Sequence, residues 1–450
     1  MASIRHLAAA ALVAIAVPLA AQQDVPFNGT TPRAPQGLKI PPLPEAPVRF
    51  ETGEGQNIKV SVYARGFQNP WSMAWVSDDT MLVAERGGTI KIVRNGVVDP
   101  QPVPGAPRAI GAGLSGTDLA LHPDFERNHY VYISYTKPID PAPGARAAGQ
   151  GARAAGAGAG AAPPAAGAAA GQGGAAGANA AAGGGGRGRG GRGAAQPATL
   201  AVARAVWNGK GFTDLRDIFV GEGSSGGPIV FGGDGMLYVA HGGNEMQTQS
   251  LNTLGGKILR LTDEGKVPPD NPFVGRADAR PEIFTQGHRT FLRMAKHPLT
   301  GQIWQIENGP NGGDEVNVLV PGANYGWPLI SLGRSYPGPW QGPFTKEGFR
   351  DPVIYWMPAI AVSSITFYTG DKLPKWKGDV FVSGMRYGEI PGTGRLDRIL
   401  INKNYEELRR ETLLGDLHRR IRDVKQGRDG LLYVATDEAD AAILKIEPAD

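Results

Sequence analysis

The sequence predicts an all-β protein folded as a six-bladed β-propeller, and three observations carry that reading. A short apolar strand, a turn with Asp, Gly or Pro, and a second strand of large apolar residues recur along the 450 residues. Six such units follow one another, spaced by about fifty to eighty residues once a low-complexity insertion is set aside. Long helical patterns are scarce. Strand-only repeats of this period read as propeller blades, each a four-stranded sheet. A β-sandwich is the alternative, but six similar units suit radial repetition better.

From the N-terminus, Arg5 and His6 precede an apolar run over residues 7–19, closed by Ala20-Ala21. Residues 1–21 therefore read as a cleavable secretory signal, and the protein is expected to be periplasmic or secreted. The run falls short of the roughly 18 apolar residues of a membrane helix, and no other segment approaches that length. Residues 22–50 read as a flexible N-terminal extension and residues 51–450 as the propeller domain. The chain contains no cysteine, which excludes a thiol-anchored lipoprotein and a disulfide-stapled fold. A chain of this length buries enough surface without staples.

The second strands of the six units are Met81-Leu82-Val83-Ala84, Tyr130-Val131-Tyr132-Ile133, Met236-Leu237-Tyr238-Val239-Ala240, Gln302-Ile303-Trp304-Gln305-Ile306, Asp379-Val380-Phe381-Val382 and Leu431-Leu432-Tyr433-Val434-Ala435. Turns such as Gly233-Asp234-Gly235 and Arg428-Asp429-Gly430 precede them, and third strands such as Thr89-Ile90-Lys91-Ile92-Val93 follow. Ile58-Lys59-Val60-Ser61-Val62-Tyr63 is expected to complete the last blade and close the ring. Residues 141–198 are rich in Ala, Gly and Pro, carry the tail Arg187-Gly188-Arg189-Gly190-Gly191-Arg192, and are expected to be disordered. Alternating apolar runs at 130–135 and 199–207 flank this stretch, so it is read as an insertion joining two antiparallel neighbours. Removing Arg5 and the five arginines of the insertion takes the formal charge from +4 to −2. A near-neutral folded part gives no reason to expect a nucleic-acid partner.

Loops at one end of a propeller channel converge, so ligand-binding residues are sought at equivalent places in several blades. Arg289 opens blade 4, Gly309-Pro310 follows its second strand, Arg386 lies in blade 5, and Arg420 and Arg422 open blade 6. The loop Gly309-Pro310-Asn311-Gly312-Gly313-Asp314-Glu315 combines close-approach glycines with the carbonyl and carboxylate oxygens that suit a hard cation such as calcium. The same composition also makes a turn capped by Asp and Asn. Arg420 and Arg422 fall on one face of an alternating strand, where planar forks can grip a carboxylate. Pairing with Glu411, Asp416 or Asp423 is the alternative. Taken together, the residues suggest a polyanionic, metal-chelating small molecule.

Further markers occur in order: His122-Pro123-Asp124-Phe125, Gly256-Lys257-Ile258-Leu259-Arg260-Leu261, Pro269-Asp270-Asn271-Pro272-Phe273, Gly287-His288-Arg289, the 309–328 block, Trp376-Lys377-Gly378, Arg420-Ile421-Arg422-Asp423-Val424 and Asp429-Gly430. With these the sequence resembles the soluble pyrroloquinoline quinone (PQQ) dependent aldose sugar dehydrogenases, the glucose/sorbosone dehydrogenase family, over residues 69–446. The resemblance implies that the Gly309 and Pro310 carbonyls hold a calcium ion bridging to PQQ. It further implies that Arg420 and Arg422 grip the cofactor carboxylates, that Arg386 stands where the family has a cofactor lysine, and that Arg289 lies over the quinone. Glu315 and Tyr325 match the pair that binds a structural calcium in some members. The implied chemistry is hydride transfer from the anomeric carbon of an aldose to the quinone, giving a lactone.

The departures from the family pattern bear on catalysis. The family's base histidine falls on Ser224 in Ser224-Ser225-Gly226-Gly227-Pro228-Ile229-Val230, and its motif arginine falls on Pro228. A serine hydroxyl cannot replace an imidazole as a base near neutrality. A family glutamine falls on Gly113 and an asparagine on Thr290. His241 is the candidate substitute base, Glu222 the next, and His288 is read as structural. The leading reading is a PQQ- and calcium-dependent dehydrogenase of a small sugar or alcohol, passing electrons to a separate acceptor, with altered or weak activity. A non-catalytic propeller binding a ligand or partner through the same funnel is the rival. A calcium-dependent lactonase-type hydrolase rests on fold analogy alone.

Overall fold

A computed structural model of the chain describes residues 37–110, 116–139, 197–223, 227–335 and 342–449, with the backbone of Phe27–Asn28 and Thr31–Pro32. The expected signal, almost all of the Ala/Gly insertion, Gly113 and Ser224 lie outside the described residues. Five four-stranded antiparallel sheets and one five-stranded sheet form the ring. The first strands of blades 1 to 6 are Pro70–Trp75, Asp118–Leu121, Ile229–Phe231, Phe291–Lys296, Val362–Phe367 and Ile421–Gln426. Each touches the first strand of the next blade, so these six strands line the central channel.

The chain ends close the ring. Blade 6 takes Ile421–Gln426, Leu432–Thr436 and Ala441–Pro448 from the C-terminus, then Ile58–Phe67 and Val48–Phe50 from the N-terminus. Pairing of Pro448 with Ile58 through Ala441 with Phe67 thus ties the termini by main-chain hydrogen bonds and leaves no open edge there. In blade 2, Tyr130–Pro138 pairs with Ala198–Trp207 from Tyr130↔Val206 to Pro138↔Ala198. The insertion therefore leaves from the end of a regular hairpin.

Local chemistry explains the repeat. In blade 3 the Asp234 carboxylate accepts from the Met236 N–H at 3.1 Å and the Tyr238 hydroxyl at 3.0 Å, with Gly235 at φ 75°. Blade 6 repeats this with Asp429, Leu431 and Tyr433 at 3.1 and 2.8 Å around Gly430 at φ 77°. Only glycine takes that positive φ without strain, and the aspartate closes the turn. The second strands that follow are buried on both faces, which is why they read as continuous apolar runs. Apolar clusters fill the spaces between neighbouring blades, for example Trp304 edge-on to Phe367 at 5.3 Å between blades 4 and 5.

A buried ionic plug crosses the channel. Arg293 on the first strand of blade 4 is 2% exposed, and its guanidinium bonds the Asp118 carboxylate of blade 2 and the Trp71 carbonyl of blade 1, the latter at 2.6 Å. Asp423 of blade 6 lies 3.5 Å from the same guanidinium. Asp118 also accepts from Ser72 at 2.7 Å and the Ile229 N–H at 2.9 Å, while Asp423 accepts from Ser364 at 2.6 Å and the Met73 N–H at 2.9 Å. All six blades meet in this network.

Candidate active site

One mouth of the channel is built from the residues that leave each second strand and those that enter each first strand. Arg86 follows Thr80–Glu85 in blade 1, Glu307 ends Ile303–Glu307 in blade 4, Arg386 follows Val380–Gly384 in blade 5, and Asp437 follows Leu432–Thr436 in blade 6. Arg289 and Arg420 stand at the entries to the first strands of blades 4 and 6. Repetition of the blade thus gathers residues that are far apart in sequence.

Arg420 and Arg422 do turn to one place, as alternation requires, but the acid they meet is Asp437. Its Oδ2 accepts from Arg420 at 3.1 Å and from Arg422 at 2.7 Å, and Arg86 bonds both oxygens at 2.8 and 3.0 Å. Two of the three partners considered from sequence are used elsewhere: Glu411 pairs with Arg398 at 3.0 Å, and Asp423 belongs to the plug. Arg422 is 3% exposed and lies over the Trp71 indole, 4.3 Å from the ring centroid. Burial pushes the Arg422 guanidinium down to about 10, although Asp437 opposes it. Burial would raise the Asp437 carboxyl, but Arg422, Arg420 and Arg86 together hold it well below the usual carboxylate range. Arg386 is paired with Glu389 at 2.9 Å, and its neighbour Met385 touches Arg420 through sulfur at 3.1 Å.

Across the mouth, the 309–315 loop is fixed by Asp314. Its buried carboxylate accepts from the Gly309 N–H at 3.1 Å and from the Ile360 and Val362 N–H groups at 2.9 and 3.1 Å. Burial nevertheless raises this carboxyl to about 6. Arg289 donates to the carbonyls of Asn308 at 2.9 Å and Gly309 at 3.2 Å, with its guanidinium 5.2 Å from the Trp327 ring centroid. Glycine is required at 309, because a Cβ there would stand 2.0 Å from the Gly312 carbonyl oxygen. A small cavity is lined by Arg289, Glu307, Gly309, Pro310, Glu315 and Tyr325. Glu307 and Glu315 face each other in strand register, and burial followed by the Glu307 charge drives the Glu315 carboxyl far above its ordinary value. Two facing carboxylates and a run of carbonyls are the donor chemistry of a hard cation. Among the described residues no three His, Cys, Asp or Glu side chains form a metal cluster, so main-chain oxygens would have to complete such a site. The Tyr325 hydroxyl is committed to the backbone, donating to Val318 O at 2.6 Å and accepting from Val320 N–H at 3.1 Å. His288 is fully buried between Thr285 at 2.9 Å and Glu307 at 3.1 Å and stacks on Tyr325, a packing role in keeping with its reading from sequence.

His241 has no free nitrogen for proton transfer. It is 2% exposed, its Nδ1 donates to the Gly242 carbonyl at 2.8 Å, and its Nε2 accepts from the Glu222 N–H at 3.0 Å. The imidazole clamps the loop that leads towards position 224, and Glu222 itself is held by Arg280. Burial lowers the His241 pKa below its ordinary 6.5. The folded state therefore disfavours the proton, so the clamp's stabilisation is complete above pH 6.5 and is lost as pH falls below it. His241→Ala should lower unfolding stability by about 2 kcal/mol, by orphaning a donor and opening a cavity. It should also flatten the acid side of the stability profile, measured by urea unfolding at several pH values.

Arg86, Asp437, Glu307 and Trp71 were not singled out from the sequence. The repeat itself carried the signal: Arg86 and Asp437 follow the second strands of their blades, as Arg386 does in blade 5.

Comparisons with known proteins agree with this architecture. The family model described as glucose / sorbosone dehydrogenase matches residues 67–445. The chain is 31% identical over 406 residues to the aldose sugar dehydrogenase YliI of Escherichia coli (strain K12), covering 87% of this chain and 93% of that protein. It is 24% identical over 490 residues to quinoprotein glucose dehydrogenase B of Acinetobacter calcoaceticus, covering 88% and 89%. Among solved structures, the apo form of the soluble aldose sugar dehydrogenase from Escherichia coli superposes with a TM-score of 0.69 at 28% identity, covering 87% of this chain and all (100%) of that one. A six-bladed ring, the arginine mouth and a match over nearly the whole propeller lead to one conclusion: this chain belongs to the glucose/sorbosone dehydrogenase family of sugar oxidoreductases.

Proposed function

We propose that the protein is an exported, PQQ- and calcium-dependent oxidoreductase that converts an aldose or related alcohol to the lactone with weak or altered turnover. The observation that carries this reading is the arginine mouth, where Arg86, Arg420 and Arg422 share one acid opposite a carbonyl loop. The buried Nε atoms of Arg86 and Arg422, like those of Arg293, Arg395 and Arg419, find no acceptor among the described residues. It is therefore the three guanidinium groups sharing one acid, and not these atoms alone, that favour a carboxylated ligand. The name quinoprotein on the Acinetobacter relative favours a quinone cofactor.

In this scheme Arg420 and Arg422 bind the cofactor carboxylates. Arg289, fixed on the Asn308 and Gly309 carbonyls, stands beside the reacting end. The Gly309 and Pro310 carbonyls would hold the calcium that serves the cofactor. Glu315, of the Glu315 and Tyr325 pair, would hold a further structural calcium whose charge would relieve the Glu307–Glu315 repulsion. When bound, PQQ supplies the hydride acceptor. The substrate hydroxyl must also lose a proton, and here the chain is poorly equipped. Ser224 stands at the family's base position, and both His241 nitrogens are spent. That shortage also favours a second reading, a propeller that binds a ligand without turning it over.

The test is reconstitution. The purified protein should bind PQQ in a calcium-dependent way that a chelator reverses, and adding aldoses should reduce the quinone spectrum slowly. Binding without reduction by any sugar or alcohol would leave the second reading. No binding of PQQ would end the first.

A further inference from the structure

We infer that Arg86 of blade 1 is the third jaw of a carboxylate-binding clamp, formed with Arg420 and Arg422 of blade 6 and seated on the Trp71 indole. This rests on the cofactor reading above and adds to it a residue from a different blade. The argument is one of unmet hydrogen-bonding capacity. Asp437 accepts from Asn69 at 3.2 Å and Arg86 at 2.8 Å on Oδ1, and from Arg86, Arg420 and Arg422 at 3.0, 3.1 and 2.7 Å on Oδ2. A carboxylate offers about four lone-pair sites, so this one is saturated. Three guanidinium groups carry about fifteen N–H donors between them, and the donors Asp437 cannot reach must be met by something else. Nε of Arg86 and Nε of Arg422 are buried without an acceptor, a feature shared with Arg293, Arg395 and Arg419. The capacity open to a ligand is therefore that of the Nη groups of the part-exposed Arg86 and Arg420.

Charge points the same way. Three cations share one acid, which leaves this corner short of negative charge. The side chains of Arg86 and Arg420 are 28% and 30% exposed, so a ligand entering the mouth can reach them. Arg86 and Arg422 both lie over Trp71, at 5.5 and 4.3 Å from its centroid, a cation–π contact that holds both beside Asp437. Forks so held suit a rigid, planar molecule carrying several carboxylates.

The test compares the full-length protein with its Arg86→Met and Arg86→Lys variants in calcium-containing buffer. Equilibrium dialysis measures binding of PQQ and of trimesate, a planar tricarboxylate without a quinone. Arg86→Met should weaken binding by roughly ten- to a hundred-fold, with less dependence on salt, and Arg86→Lys should recover only part of it. If Arg86→Met lowers the thermal midpoint but leaves both affinities unchanged, Arg86 is only a tie between blades and the inference fails. If the wild-type protein binds trimesate through Arg86 but not PQQ, the clamp stands and the PQQ reading falls. Binding of neither molecule would overturn both.

Discussion

Arg293→Met should cost about 3–5 kcal/mol of unfolding free energy, the largest loss expected from any single side chain in the channel. The substitution keeps the volume roughly constant, so the cost comes from charge. Asp118 and Asp423 are 1% and 0% exposed, and Arg293 is the cation between them. Burial pushes the Asp118 carboxyl up, but Arg293 and then Lys425 pull it down further, leaving it below the usual range. Such a carboxylate contributes stability that is present above its unfolded pKa and lost as pH falls through the lower folded value. Without Arg293 the buried Asp118 carboxylate keeps only Lys425 as a nearby cation against the penalty of burial, so its carboxyl should rise and the variant should lose most stability at neutral and alkaline pH. Urea unfolding followed by tryptophan fluorescence at pH 5 and pH 8 would show this as a loss that grows with pH. Adding Asp118→Asn should recover part of it, because one buried charge then disappears. A loss below about 1 kcal/mol would mean that water already solvates the plug.

The plug also shows where the sequence was silent. Blade boundaries were legible because they are local: an Asp-Gly turn, then a strand buried on both faces, repeated in register. The closing strand was legible as an alternating run ahead of the first blade; Ile58–Phe67 pairs with Ala441–Pro448 on one side and with Val48–Phe50 on the other. Ion pairs between blades left no such trace. Arg293 and Asp118 are 175 residues apart, and Arg86 and Asp437 are 351 apart. Each charge alone reads as a solvated side chain, and only ring closure decides which acid meets which arginine. Hence Asp437 was missed while Glu411, Asp416 and Asp423 were considered. His241 shows the same limit. A histidine before Gly242-Gly243 reads more readily as a strand-end side chain bonded to a neighbouring loop than as a base, and the Glu222 N–H on its Nε2 is the tertiary fact that decides it.

Ser224→His should raise the rate of aldose oxidation by the calcium- and PQQ-loaded protein roughly a hundred- to ten-thousand-fold, the usual contribution of a positioned general base. The expectation rests on the proposed function and on the family motif, in which a histidine occupies this position. The residues flanking it are anchored in ways that a substitution at 224 leaves untouched. On one side the Glu222 N–H is held by His241 at 3.0 Å; on the other, the Gly227 N–H donates to the Ser134 hydroxyl at 3.3 Å, and the Pro228 carbonyl accepts from Ala240 at 3.0 Å. Glycine at 227 is obligatory for that anchor, since a Cβ would stand 1.8 Å from the Ala240 carbonyl oxygen. The gain should be pH-dependent in a way the parent's activity is not. An imidazole of ordinary pKa near 6.5 accepts a proton only when neutral, so turnover should rise through that pH and level above it. Cofactor affinity should stay within a few-fold of the parent, because Arg86, Arg420 and Arg422 lie on other blades. A faster quinone reduction with a titration near neutrality would identify the missing base as the reason for slow chemistry. A rate that does not change, in a variant that still binds PQQ, would remove position 224 from the catalytic account and leave the ligand-binding reading of this mouth as the better one.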